Sequence, residues 1–128
     1  MKVRVEGKPP KHGNGSIWGK GDKAKATLKL RQEIRAAGPG PDYPIKGKAR
    51  LKLEVSTKTL ETGTEKYMGD LDALVGGVCN AIQGYDGLVS DVFKKAGENT
   101  REALLIRNDD QDRKSTRLNS SHANISYA

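Results

Sequence analysis

Gly69-Asp70-Leu71-Asp72-Ala73-Leu74-Val75-Gly76-Gly77-Val78-Cys79-Asn80-Ala81-Ile82-Gln83 sets two carboxylates at the mouth of an apolar helix. Leu71, Leu74, Val75, Val78 and Ile82 recur at i, i+3, i+4, i+7 and i+11, the spacing of one buried helical face. The stretch predicts a core helix whose first residue is Asp70 or Leu71. Both acids then fall in the cap and first turn, where orphan N–H groups and the helix dipole favour negative charge. One cap needs one acceptor, and two carboxylates this close repel by several kcal/mol at an effective dielectric of about 20. A divalent cation between them removes that repulsion. Spacing alone leaves capping and metal binding both open.

Upstream of this helix, Thr57 to Lys66 is polar and reads as a turn. Lys48 to Thr57 alternates, with Ala49, Leu51, Leu53 and Val55 inward and Arg50, Lys52 and Glu54 outward, as in a strand with one wet face. Before it, Asp22 is placed to cap a helix over Lys23 to Ala37, ended by Gly38-Pro39-Gly40-Pro41. Leu30, Ile34 and Ala37 share its inner face, and Lys29, Arg31 and Arg35 are expected outside. Lys11 to Gly21 is a Gly-rich basic loop without a phosphate-loop ending. It reads either as a DNA-contacting arm, with Lys8, Lys11, His12 and Lys20 on phosphates and Trp18 stacking on a base, or as a surface loop whose Trp18 packs on the core. Val3 and Val5 alternate with Lys2, Arg4 and Glu6 in an opening strand that Pro9-Pro10 ends.

Downstream, Gly84-Tyr85-Asp86-Gly87 is a turn, and Leu88 to Lys95 predicts a short helix with Leu88, Val92 and Phe93 inward. Gly97-Glu98-Asn99-Thr100 turns again. Ala103-Leu104-Leu105-Ile106 predicts a short strand that delivers Asn108-Asp109-Asp110-Gln111.

The chain has 128 residues, with 23 Lys and Arg against 16 Asp and Glu, for a net charge of +7. Such a balance favours polyanionic partners, because Lys and Arg on phosphates release counterions. Cys79 is the sole cysteine, which excludes an internal disulfide and reads as a small buried hydrophobe. His12 and Cys79 are too few for a zinc site up to Gln111, and nothing positions a Ser/His/Asp triad. No apolar run reaches membrane-spanning length and Met1 to Lys8 lacks a signal-peptide pattern, so the expected compartment is the cytoplasm.

Two resemblances sharpen these readings. The run Gly69 to Ile82 is similar to the Asp-Leu-Asp-Asn-Leu-x-Lys-x-x-x-Asp-Ala-Leu signature of the RusA-type Holliday junction resolvases, and Asn108 to Gln111 resembles the Asp-Asp-x-Gln turn that follows it there. The motifs stand in family order, and the resemblance spans most of residues 1–111. It implies that Asp70, Asp72 and Asp110 are the catalytic, metal-binding acids, that the ion is Mg²⁺ or Mn²⁺, and that the partners are a branched four-way DNA junction and a second copy of the chain. Ala73 stands where the family has Asn and Gly76 where it has a Lys near the scissile phosphate. The second resemblance concerns residues 112–128, which look like translated sequencing-adapter sequence, with Ala123-Asn124 where its variable index would be. It implies a non-native, disordered tail lying outside the fold.

Together these readings predict an α/β (α+β) domain over residues 1–111. Its small mixed sheet, packed by two main helices, would be RusA-like and lack its C-terminal strands. Two other classes fit the residues: a nucleic-acid-binding module of the same fold without cleavage, and a plain structural domain with helix-capping acids.

Overall fold

The computed structural model describes residues 2–11, 16–19, 21–41, 43–45, 50–55, 64–107 and 122–127, and for 50–52, 54, 55, 64–72, 122–124 and 126 it describes the backbone only. In chain order the elements are β1 (Lys2–Val5), α1 (Gly21–Ala37), β2 (Arg50–Val55), α2 (Thr64–Ala81), α3 (Asp91–Ala96) and β3 (His122–Tyr127). The chain is thus a mixed α/β protein.

The three strands form a sheet in the order β1-β3-β2. Both pairings are parallel, with Val3 opposite Ile125, which in turn lies opposite Leu53, and with Val5 and Val55 flanking Tyr127. A mixed sheet was expected; among the described residues its pairings are parallel. The larger correction concerns 122–127. This hexapeptide does not behave as a disordered tail, because it is the middle strand, with Ile125 fully buried and Tyr127 nearly so. The physical reason is a short period-two pattern in which Ile125 and Tyr127 alternate with Asn124 and Ser126, enough to supply one apolar face to two strands. Residues 112–121 lie outside the described set.

The strands' alternation decides which face is wet. Val3 and Val5 are buried while Lys2 and Arg4 are exposed, and α1 packs on β1. Ala24, Thr27, Leu30 and Ile34 form the buried stripe of α1, at the spacing of one helical face. Ala24, Leu30 and Ile34 join Val78, Ile82, Phe93, Leu105 and Ile125 in one core. Ala37, expected inside, is exposed at the end of α1.

Beyond α2, α3 is shorter than predicted. Ser90 Oγ accepts from the Val92 N–H at 3.4 Å at its start, and Gly97, at φ 70°, closes it by donating its N–H to the Lys94 carbonyl at 3.1 Å. Phe93 is buried as expected. Leu88 is not: it is 94% exposed, because the helix begins after Ser90 and Leu88 falls in the preceding turn. Ala103 to Ile106 forms no regular strand, only an isolated parallel bridge between Ile106 and Ile45, although Leu104, Leu105 and Ile106 are all buried.

Candidate functional site

Helix α2 carries the first two candidate acids, and its buried side chains Leu74, Val78 and Cys79 show which face meets the core. It starts at Thr64, so Gly69 is not its entry and Asp70 and Asp72 are its seventh and ninth residues. The expectation that both acids occupy the cap and first turn is therefore corrected. Glu65, Lys66 and Met68 are good helix formers, and in this context they extend the helix backward instead of making a turn. At the seventh residue, no unpaired N–H group remains for a carboxylate to cap. Neighbours two apart on a regular helix are rotated by about 200°, so Asp70 and Asp72 take register positions on opposite sides of α2.

Asp110 lies outside the described residues, and the description of that segment ends at Arg107. What leads to it is nevertheless anchored. The N–H groups of Leu104 and Leu105 both donate to the Ile82 carbonyl at 3.1 Å, and Ile45 N–H donates to Leu105 O at 2.8 Å. Gly84 lets this segment approach, since a Cβ there would collide with the Arg101 carbonyl. The end of the acid-bearing helix and the segment running to Asp109-Asp110 are thus fastened together.

The fastener is Arg31, which sequence reasoning placed outside. It is completely buried, and all five of its guanidinium N–H groups have partners. Nε donates to Glu98 Oε2 at 3.0 Å. Nη1 donates to the carbonyls of Ala81 and Gln83 at 2.8 and 2.9 Å, and Nη2 to those of Asn99 and Glu102 at 2.9 and 2.7 Å. One side chain therefore joins α1, the C-terminal end of α2 and the 98–102 turn. Outside it, Arg35 clamps Glu98 through Nε at 2.8 Å and Nη2 at 2.7 Å, and reaches Glu102 Oε1 through Nη1 at 2.5 Å. Burial draws the Arg31 guanidinium below its ordinary value against the hydrogen bond and charge of Glu98, while Arg35 is raised chiefly by its hydrogen bond to Glu98. Burial also works to raise Glu98, but hydrogen bonds from Arg35 and Arg31 outweigh it and hold the carboxyl below its usual range. The signal available in the sequence was position: Arg31 follows Ala24 by seven and Thr27 by four, in the middle of the apolar stripe.

Trp18 settles in the second of its two expected roles. It is 4% exposed, stacked on Tyr85 with ring centroids 5.1 Å apart and tilted against Phe93 at 5.6 Å, with the Arg31 guanidinium carbon 5.4 Å from its ring centroid. It offers no free face for a nucleic-acid base, so that assignment is corrected. Its backbone is held too: Ser90 N–H donates to the Trp18 carbonyl at 2.8 Å, and Thr27 Oγ1 donates to the Ile17 carbonyl at 2.9 Å. An indole carries much apolar area for one residue, and a core this poor in aromatics takes it in. Lys8 and Lys11 are exposed; His12 and Lys20 lie outside the described residues.

A cleft of about 270 Å³ opens beside this stack, bordered by Ser16, Asn80 and Gln83. Asn80 is eight residues along α2 from Asp72, about 12 Å by helical rise, so the cleft belongs to the far end of the helix from the acids. Among the described residues no group of three or more His, Cys, Asp and Glu converges, and no helix is long and apolar enough to cross a membrane. Comparison with protein-family models, with curated proteins and with solved structures finds no match.

Proposed function

We propose that the chain is a Mg²⁺- or Mn²⁺-dependent endodeoxyribonuclease domain of the RusA type, selective for four-way DNA junctions in recombination and repair and working as a homodimer. One observation carries the reading. Asp70 and Asp72 lie well inside α2, where helix capping does not require them; on the intact helix they take opposite sides, so their sharing one ion rests on the backbone opening at Gly69. Asp70, Asp72 and Asp110 are the residues that would hold the ion, and three carboxylates suit a hard cation with oxygen ligands. When bound, it supplies polarisation of the phosphodiester and a water of lowered pKa. The chain's own contribution is to hold the acids and to seat the DNA: Arg31 keeps the end of α2 against the segment that runs to Asp110, and basic residues take the phosphate backbone. Selectivity for a junction then comes from shape and phosphate spacing, and two copies place two sites on opposed strands.

Ala73 and Gly76, where the family has Asn and Lys, favour a second reading, a junction-binding module without cleavage. Cleavage of a labelled four-way junction with Mg²⁺ separates the two. Asp70→Asn, Asp72→Asn and Asp110→Asn should each abolish cleavage and keep binding, while Asp86→Asn, in the exposed turn after α2, should leave both unchanged. Retained cleavage in Asp110→Asn would sink the three-acid site. Binding without cleavage by the parent protein would establish the second reading.

A further inference from the structure

All-parallel sheets are ordinarily apolar on both faces because helices cover both. This one is not. Val3, Val5, Ile125 and Tyr127 are buried on one face, and the register assigns the alternate positions to the other. Lys2, Asn124 and Lys52 share one row across the three strands. Arg4, Ser126 and Glu54 share the next, and Arg50 pairs with His122 in a third. Lys2 and Arg4 are exposed, and among the described residues the helix packed on β1 lies against the Val3 and Val5 face. To the face on which Lys2, Arg4 and Glu6 are exposed, the register assigns two further basic positions, Arg50 and Lys52, and one further acidic one, Glu54. Both acids stand towards the C-terminal ends of the strands, which leaves the rest of the face basic.

We infer that this face of the sheet is a docking surface for the phosphate backbone of DNA, formed by β1 and β2 and separate from the Gly-rich loop. It rests on the reading of the chain as DNA-binding but not on cleavage. Charge complementarity carries it. Alternate residues on one strand lie about 6.6 Å apart and β1 and β2 about 9.6 Å apart across β3, so the basic positions form a two-dimensional grid suited to a repeating polyanion and not to one small anion. These rows hold no Phe, Tyr or Trp, which fits backbone contact instead of base stacking. All four positions belong to the outer strands, so the inference holds whichever sequence fills the centre.

The test is the full-length chain with Lys2→Gln, Arg4→Gln, Arg50→Gln and Lys52→Gln together, beside Lys94→Gln/Lys95→Gln on the exposed end of α3. Affinity for a labelled four-way junction and for duplex DNA is measured from low to high salt, with melting temperature as the check on folding. The sheet variant should lose at least tenfold in affinity at low salt with its melting temperature kept. The slope of log K against log salt should flatten by about 0.9 for each phosphate contact removed. The α3 variant should bind like the parent. Equal binding by the folded sheet variant overturns the inference and leaves the nuclease reading standing; a parent that binds no DNA overturns both. Should the fourfold variant fail to fold, the pairs Lys2→Gln/Arg4→Gln and Arg50→Gln/Lys52→Gln decide, each with about half the loss. Binding to phosphatidylserine vesicles without binding to DNA would assign the face to a membrane surface and overturn it also.

Discussion

Arg31 is a cation placed where apolar side chains would be expected, and its partners explain why it is stable there. Four backbone carbonyls from two segments would lose a hydrogen bond if it were removed, Asn99 O keeping the longer ones from Arg35 Nη2 and the Glu102 N–H, both 3.3 Å, and the Glu98 carboxylate, with 3% of its side chain exposed, would keep only Arg35. Arg31→Met should therefore destabilise by about 3 to 5 kcal/mol, the usual cost of breaking a buried ionic group on one side. Arg31→Lys should recover little, since an ammonium has three donors and no planar fork. Chemical denaturation of both variants checks this, and a loss under 1 kcal/mol for Arg31→Met would contradict the network. The same cluster fixes an acid limb. Because Glu98 is held below its ordinary value in the folded state, its stabilisation is complete above the unfolded carboxylate range near pH 4.5 and is lost as pH falls through the depressed folded value. A stability–pH profile should show a limb below about pH 4.5 that Glu98→Gln flattens.

Helix α2 shows which parts of an element a sequence discloses. Leu74, Val78 and Ile82 are buried where their spacing puts them, because a stripe must face the core whatever precedes it. The start of the helix was not readable in the same way. Gly69 looks like an entry point, and only context decides that Thr64 to Met68 coil instead of turning. Arg31 escaped for a related reason, since its place in the apolar stripe was legible but the distant carbonyls that satisfy its guanidinium leave no local pattern. Gly69 now lies inside a helix, where glycine costs about 1 kcal/mol relative to alanine. Acids two apart on an intact helix face opposite ways, so joint binding of one ion by Asp70 and Asp72 requires the backbone to leave the helix at Gly69. Gly69→Ala should accordingly raise thermal stability, by up to about 1 kcal/mol, and lower Mn²⁺ affinity. Calorimetric titration with melting curves reads both quantities. A variant that is more stable and binds Mn²⁺ as well as the parent would show that the two acids do not share an ion.

The whole molecule depends on its last strand. β1 and β2 make their sheet hydrogen bonds to β3 and none to each other, so 122–127 joins two otherwise separate edges and closes the core beneath Val3 and Val5. The adapter-like sequence of residues 112–128 gave no reason to expect this, because resemblance assigns an origin whereas packing depends only on whether a segment offers backbone groups and an apolar face in register. A pair of unpaired parallel edges is a strong acceptor for any such segment. Burying Ile125 contributes about 1.5 to 3 kcal/mol by side-chain transfer, a sizeable part of the roughly 5 to 15 kcal/mol by which a domain is ordinarily stable, while the Tyr127 ring adds less because its buried hydroxyl has no hydrogen-bond partner among the described residues. Deletion of Asp112 to Ala128 should therefore abolish or strongly broaden the thermal transition and leave β1 and β2 prone to association through their edges. Ile125→Asn should lower the melting temperature in the intact chain without changing its length. Synthetic peptide covering His122 to Tyr127, added to the deletion variant, should restore part of the transition. A deletion variant that melts like the parent would return 112–128 to the status of an appendage, and the stability of the sheet would then have to come from the α1 side alone.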